Sequence, residues 1–296
     1  MSLMLIYAII IAMEDLLWHP STKEELSAFA QNPSHALLIS GERGSGKLSA
    51  ARALSAAVLN TDEAKLDSRP YFMHIAPKNG SIKIDTVRTI EKFLLLKVPF
   101  ESQSINRTIL IEDADLMGTE AQNAILKHLE EPPAKTLFIL TCADINALLT
   151  TIVSRANHIR IRKPSHRALI DYFTRFNYSE TQIETSVLMS DRLPGLTKQL
   201  MDQSGKHSLT EAVDYAKQLL ASEPYERLVI IGKHSKDNQL AVDTLKLIQQ
   251  MSSIVLSKGI KTKKWQLATE AAYKAETRLI NKANPKLVLS SFALSY

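Results

Sequence analysis

Two stretches of the 296-residue chain carry residue types at a spacing that chemistry can use. The first is Gly41-Glu42-Arg43-Gly44-Ser45-Gly46-Lys47-Leu48, a G-x-x-x-x-G-K pattern. Glycines so spaced let backbone N–H groups turn toward phosphate, a following helix adds its positive N-terminal end, and the lysine reaches the β- and γ-phosphates. Gly41, Gly44, Ser45, Gly46 and Lys47 are therefore the candidate nucleotide-binding residues. The next position departs from the pattern: a hydroxyl there ligates Mg²⁺, but this chain has Leu48, and Ser49 lies about 100° further round the helix. Binding of ATP or ADP is expected to be weak or absent, and no cofactor is required. The loop is either a weakened nucleotide site or a structural remnant.

The second stretch is Arg107 to Asp115, RTILIEDAD, an apolar strand ending in acids. In a P-loop enzyme an Asp here coordinates Mg²⁺ and a following Glu polarises water. Here the order is Glu112 then Asp113. The longer side chain reaches a metal only through water, and the shorter one stands where a base must extend. Glu112 and Asp113 are read as an altered acidic strand end or as acids capping the next turn.

The elements that must hold these residues are legible as periodicities. His35 to Ser40, Tyr71 to Ile75, Arg107 to Ile111, Leu137 to Thr141 and His158 to Arg162 read as strands. Between them Leu48 to Leu59, Ile84 to Lys97 (with Asp85 placed to cap it) and Glu120 to Glu131, halted by Pro132-Pro133, read as helices. Such alternation predicts an α/β fold, a parallel sheet wrapped by helices. After Lys163-Pro164 the strand signal stops. Arg167 to Phe176, Glu180 to Ser190 and Gly195 to Asp202 predict a small helical lid. A polar link near Gln203 to Lys206 leads to five further helices, from about Leu209 to Phe292. The expected domains are 1–163, an α/β P-loop unit; 164–205, a helical lid; and 206–296, an all-α bundle.

Composition bounds the function classes. At 45% hydrophobic and 23% charged the chain has a globular balance. One cysteine, Cys142, rules out a disulfide framework or a multi-cysteine zinc site and suits a reducing, cytoplasmic setting. The histidines show no H-E-x-x-H spacing, so no metal site is assigned. The apolar run Met4 to Met13 is shorter than the roughly 20 residues a membrane span needs. It reads as a mistaken upstream start, with Met13 the initiator, or as a loosely packed first helix, and no membrane partner is expected. From Lys206 onward 14 basic residues face 8 acidic ones, whereas the first 205 residues carry 22 and 23. A basic tail on a neutral body suits a polyanion or acidic partner, or is a solvated helical surface. Lys258, Lys261, Lys263 and Lys264 are either DNA-phosphate contacts or a solvated loop. Trp265 is either a stacking residue or an anchor of the bundle.

Beyond these patterns, Ala114-Asp115-Leu116-Met117 and Glu120-Ala121-Gln122-Asn123-Ala124-Ile125-Leu126-Lys127-His128-Leu129-Glu130-Glu131-Pro132-Pro133 resemble the bacterial clamp-loader proteins of the AAA+ superfamily. Leu148 to Arg155, LLTTIVSR, is similar to that family's Ser-Arg-Cys segment, with Ser154-Arg155 kept and Ala156 in place of the cysteine. His35-Ala36-Leu37-Leu38 and Gly80-Ser81-Ile82-Lys83-Ile84-Asp85 are similar to the delta-prime branch in particular. The resemblance is close over about residues 14 to 205. It implies a subunit at one end of a heteropentamer with gamma/tau motors and delta, acting through the complex on a sliding clamp and primed DNA, and a C-terminal bundle that joins an oligomerising collar.

Departures discriminate within the family. The polar sensor of the motor subunits is matched by Ala143, and their lid arginine by Leu193-Pro194-Gly195-Leu196, which has none. With Leu48 and Glu112-Asp113, four parts of an ATP site are altered. The four-cysteine zinc module of many relatives is replaced by Thr61 to Arg69. The resemblance implies that Arg155, with Ser154, acts in trans on the neighbouring subunit's ATP as an arginine finger; the alternative is that Arg155 pairs with a nearby acid. No catalytic residue is expected in cis. The rival readings are a gamma/tau-like ATPase and an AAA+ nucleic-acid-binding protein outside replication.

Overall fold

The computed structural model describes residues 17–78, 80–96, 105–202, 210–234, 237–257, 263–281 and 283–296. The chain forms two compact units, one ending at Ser165 and the other running from His166 to Tyr296. Residues 1–13, the polar link at Gln203 to Lys206, and Lys258 and Lys261 lie outside the described residues.

The first unit contains β1 (Ala36–Ser40), β2 (Phe72–Ile75), β3 (Arg107–Ile111), β4 (Thr136–Cys142) and β5 (Asn157–Arg160), all parallel, in the order β2-β3-β4-β1-β5. Residues 36–40, 107–111 and 136–142 are buried throughout, as expected where helices cover both faces of a sheet. One apolar cluster carries Leu37, Ile39, Leu110 and Ile139, and the other carries Leu38, Ile109, Ile111 and Leu140, so each strand divides its side chains between two faces. On β5, an edge strand, only Ile159 is buried.

The helices of this unit are α1 (Pro20–Gln31), α2 (Lys47–Val58), α3 (Ile84–Leu94), α4 (Thr119–Glu130) and the single turn α5 (Thr150–Val153). Alanine-rich α2 buries Ala50, Ala51, Ala53, Leu54, Ala56, Ala57 and Val58, its small side chains letting the helix lie close on the sheet. Asp85 does not cap α3 as its position suggested. Lys83 is the N-cap residue and makes no side-chain cap bond, while Asp85 pairs with Arg88 one turn on, at 3.5 Å. The helix stops at Leu94, where Arg107 donates from Nη1 to the Leu94 carbonyl at 3.0 Å and from Nη2 to that of Leu96 at 2.5 Å.

The second unit is helical: α6 (His166–Phe173), α7 (Glu180–Met189), α8 (Pro194–Asp202), α9 (Thr210–Ala221), α10 (Pro224–His234), α11 (Asn238–Ser257), α12 (Lys263–Ile280) and α13 (Pro285–Ala293). Leu193 and Leu196 of the lid stretch share one buried cluster with Leu219, Leu245, Ile248, Leu279 and Phe292 of the bundle. Trp265 packs against that cluster, and Lys263 and Lys264 are exposed at the start of α12. Arg227, 3% exposed, donates to the carbonyls of Leu219, Ser222, Ala293 and Tyr296 and lies 3.8 Å from the Tyr296 ring, joining α9, α10 and α13.

Candidate functional site

The loop after β1 and the acids after β3 meet at the C-terminal ends of the strands, on either side of β4. This is where an open parallel sheet offers a crevice. Lys47 Nζ stands 3.6 Å from Asp113 Oδ1, with the lysine 7% exposed. The same ammonium lies 3.5 Å from the Glu42 carbonyl. β4 supplies the floor: the Gly41 N–H donates to the Cys142 carbonyl at 3.1 Å, and the Asp113 N–H donates to Thr141 Oγ1 at 2.9 Å.

The cradle is built from residues that need its unusual backbone. Gly46, the N-cap of α2, has φ +90°, and a Cβ there would stand 3.0 Å from Trp18 Nε1. Trp18, 6% exposed, belongs to the cluster under α2, so a residue ahead of α1 packs onto the phosphate loop. Sequence reasoning missed this contact because the tryptophan precedes an element that the periodicity did not reveal. Ser45 is buried, its hydroxyl has no hydrogen-bond partner among the described residues, and it lies 2.7 Å from where a Cβ on Gly41 would stand. Lys163 pairs with Glu42 at 2.7 Å and ties the loop's exposed side to the segment after β5.

The cradle's shape suits a phosphate, but the metal position does not suit Mg²⁺. Leu48 offers no oxygen and packs against the apolar cluster beneath the loop. Asp113 is turned by a left-handed backbone, φ 46°, toward Lys47. Burial pushes its carboxyl up from the usual range, Lys47 opposes that, and Asp115 and Glu112 reinforce it. Glu112 accepts from or pairs with His74 Nε2 at 3.1 Å. The Cys142 thiol is pushed up to about 12 by burial, which leaves it protonated and poor as a nucleophile or ligand. No cluster of three or more His, Cys, Asp or Glu side chains suited to a metal ion occurs among the described residues.

The acids do not cap the next turn: the Asp113 side chain makes no cap bond, and Asp115 Oδ2 accepts from the N–H groups of Ala143 at 3.2 Å and Asp144 at 3.1 Å. Ala143 is thus held by a backbone bond to Asp115.

Arg155 lies apart from this crevice, just after α5. Its Nη1 donates to the Thr151 carbonyl at 3.0 Å and its Nη2 pairs with Glu130 Oε1 at 2.8 Å; the arginine is 35% exposed. The nearby acid therefore exists, and it comes from the last turn of α4. Ser154 Oγ donates to the Thr151 carbonyl at 3.2 Å. A second residue missed from sequence is Gln122, 4% exposed. Its Nε2 donates to the carbonyls of Met117 and Ala147, both at 3.0 Å, and its Oε1 accepts from the Leu149 N–H at 2.7 Å. It staples α4 to the segment that leads into α5; a polar residue on the apolar face of a helix pattern was the available signal.

A family model described as DNA polymerase III, delta subunit, matches residues 19–165. The tau subunit of DNA polymerase III from Bacillus subtilis is 31% identical over 172 residues, which is 52% of this chain and 30% of that protein. The delta' subunit from Pseudomonas aeruginosa is 25% identical over 224 residues, which is 70% of this chain and 67% of that protein. The match thus spans less than a third of one relative and about two thirds of the other. The crystal structure of a gamma subunit-related DNA polymerase III protein from Thermotoga maritima superposes with a TM-score of 0.54 at 21% identity, covering 91% of this chain and 96% of that one, a likeness of fold.

Proposed function

This chain belongs to the AAA+ clamp-loader family of DNA polymerase III subunits, and we propose that within it the chain is a delta-prime-like stator rather than a motor. The observation that carries this reading is Leu48, partly buried against the apolar cluster where an Mg²⁺-binding hydroxyl belongs, beside a Lys47 already closed onto Asp113. Ala143 and Leu193-Pro194-Gly195-Leu196 point the same way. In this reading the α/β unit is a rigid body, and the helical bundle joins gamma/tau-like motors and a delta subunit around a sliding clamp and primed DNA. Tyr225, Val229, Tyr273, Ile280, Leu287 and Leu294 are large apolar side chains exposed on the second unit, as an assembling surface requires.

The reading gives Arg155 the chemistry, in the neighbouring subunit. An arginine supplied in trans to a transferring phosphoryl group is worth about 10³- to 10⁵-fold in rate, roughly 4–7 kcal/mol. The half-exposed pair with Glu130, worth about 0.2–1 kcal/mol, does not outweigh that. The Arg155 role needs no nucleotide in this chain's own loop, so a failed cradle and a retained arginine are compatible in one subunit.

The test is equilibrium binding and turnover of Mg·ATP by the chain alone, then Arg155→Ala in a reconstituted loader. Absence of binding at millimolar nucleotide, unchanged in Leu48→Thr, and a collapse of the adjacent motor's turnover on Arg155→Ala are expected. Tight binding with hydrolysis that vanishes in Lys47→Ala would instead make the chain a gamma/tau-like motor. The left-handed Gly44 and Gly46, which keep the cradle's shape, favour that second reading.

A further inference from the structure

We propose that Glu130 is a positioning residue for Arg155: it holds the guanidinium in one place with donors to spare for a neighbour's phosphate. The inference rests on the arginine-finger reading above and deepens it. A free arginine side chain samples many rotamers and must give up that freedom each time it engages a ligand; its planar fork loses least when it is already held. Here it is held twice. Thr151, one turn earlier, takes one N–H from Nη1, and the Glu130 carboxylate pairs with Nη2 at 2.8 Å. A guanidinium carries five N–H donors in a fixed fork, so the Thr151 bond and the Glu130 pair occupy at most two and leave at least three for another acceptor. The arginine need not release Glu130 to act.

Both ends of the support come from α4. Gln122 in its first turn binds the Leu149 N–H and the Ala147 carbonyl, and fixes where α5 starts. Glu130 in its last turn follows Leu129, which is 1% exposed and locked in the apolar cluster, and precedes the prolines that end the helix. The carboxylate is therefore carried by a rigid element and not by a loop. This also accounts for its partial exposure, 48%, because it must face the same solvent-open side as the arginine.

The experiment uses the reconstituted complex, with only the adjacent motor retaining its own phosphate-loop lysine, so that one ATP site is read. Glu130→Ala is expected to lower kcat about five- to tenfold with KM for ATP unchanged and with the melting temperature of the isolated chain unaltered. Glu130→Gln, which keeps a carbonyl oxygen acceptor but not the charge, is expected to fall between. In the Arg155→Ala background Glu130→Ala is expected to change nothing further, since its effect runs through the arginine. A wild-type rate in Glu130→Ala alongside a dead Arg155→Ala would overturn the positioning role and leave the finger standing. A rise in rate would show that Glu130 restrains the arginine, and would overturn it equally. If Arg155→Ala is itself silent, the finger reading falls and the positioning role falls with it.

Discussion

At the scale of single residues, the phosphate loop is a place where backbone conformation decides what a side chain can be. Gly46 combines φ +90° with an indole nitrogen where its Cβ would go. Gly46→Ala is therefore expected to cost about 1–2 kcal/mol from the left-handed backbone alone, and more once Trp18 is displaced. Urea unfolding followed by tryptophan emission measures both, because Trp18 itself reports the displacement. The glycine spacing and the apolar Leu48 were plain in the sequence. The partner of Lys47 was not, because Asp113 lies 66 positions away and meets it only across β4.

At the scale of elements, α4 connects the crevice side of the sheet to the arginine. Its internal glutamine supplies two hydrogen bonds to the turn after β4, at Ala147 and Leu149, and one to Met117 ahead of its own helix. Gln122→Ala is expected to leave the Leu149 N–H and the carbonyls of Met117 and Ala147 unpaired, at a cost of about 2–3 kcal/mol. Hydrogen exchange should show it locally, as faster exchange of the Leu149 amide with the β1 amides unchanged; uniform loss of protection would mean that Gln122 serves the whole fold. The strands and most helices were legible to within a residue or two, because buried parallel strands are continuous apolar runs and the helices carry a 3.6-residue period. α1 escaped because its sequence, PSTKEELSAFAQ, buries only four residues, and Asp85 was misjudged because a cap depends on where the first turn begins.

At the scale of the whole molecule, two histidines of the α/β unit tie its stability to pH. Burial, and then the charge of Lys127, holds His128 below the ordinary histidine value of 6.5. Burial, and then Arg160, does the same to His158, whose Nε2 is 2.7 Å from Ser40 Oγ. A group whose pKa is lower folded than unfolded takes up protons more readily when the chain unfolds. Its contribution is present above pH 6.5 and is lost as pH falls from there through the folded value. The melting temperature is thus expected to drop between pH 7.5 and 5, and the drop should flatten in a His128→Gln/His158→Gln double variant. An unchanged slope would place the acid sensitivity elsewhere. No helix among the described residues is long and apolar enough to cross a membrane.

What the sequence determined by itself was everything local: which runs are strands, where the phosphate loop sits, that its metal hydroxyl is missing, and the Leu-Glu-Glu-Pro-Pro and Ser-Arg stretches that mark the family. Such signals follow from periodicity and turn chemistry within a few residues of each other. Only the tertiary structure decided which charges meet. Lys47 with Asp113, Asp115 with the backbone of Ala143 and Asp144, Trp18 with Gly46, and Arg155 with Glu130 each join residues from separate elements. The strand order β2-β3-β4-β1-β5, which inserts β4 between the two loops of the crevice, sets the first of these distances, and no pattern along the chain contains it.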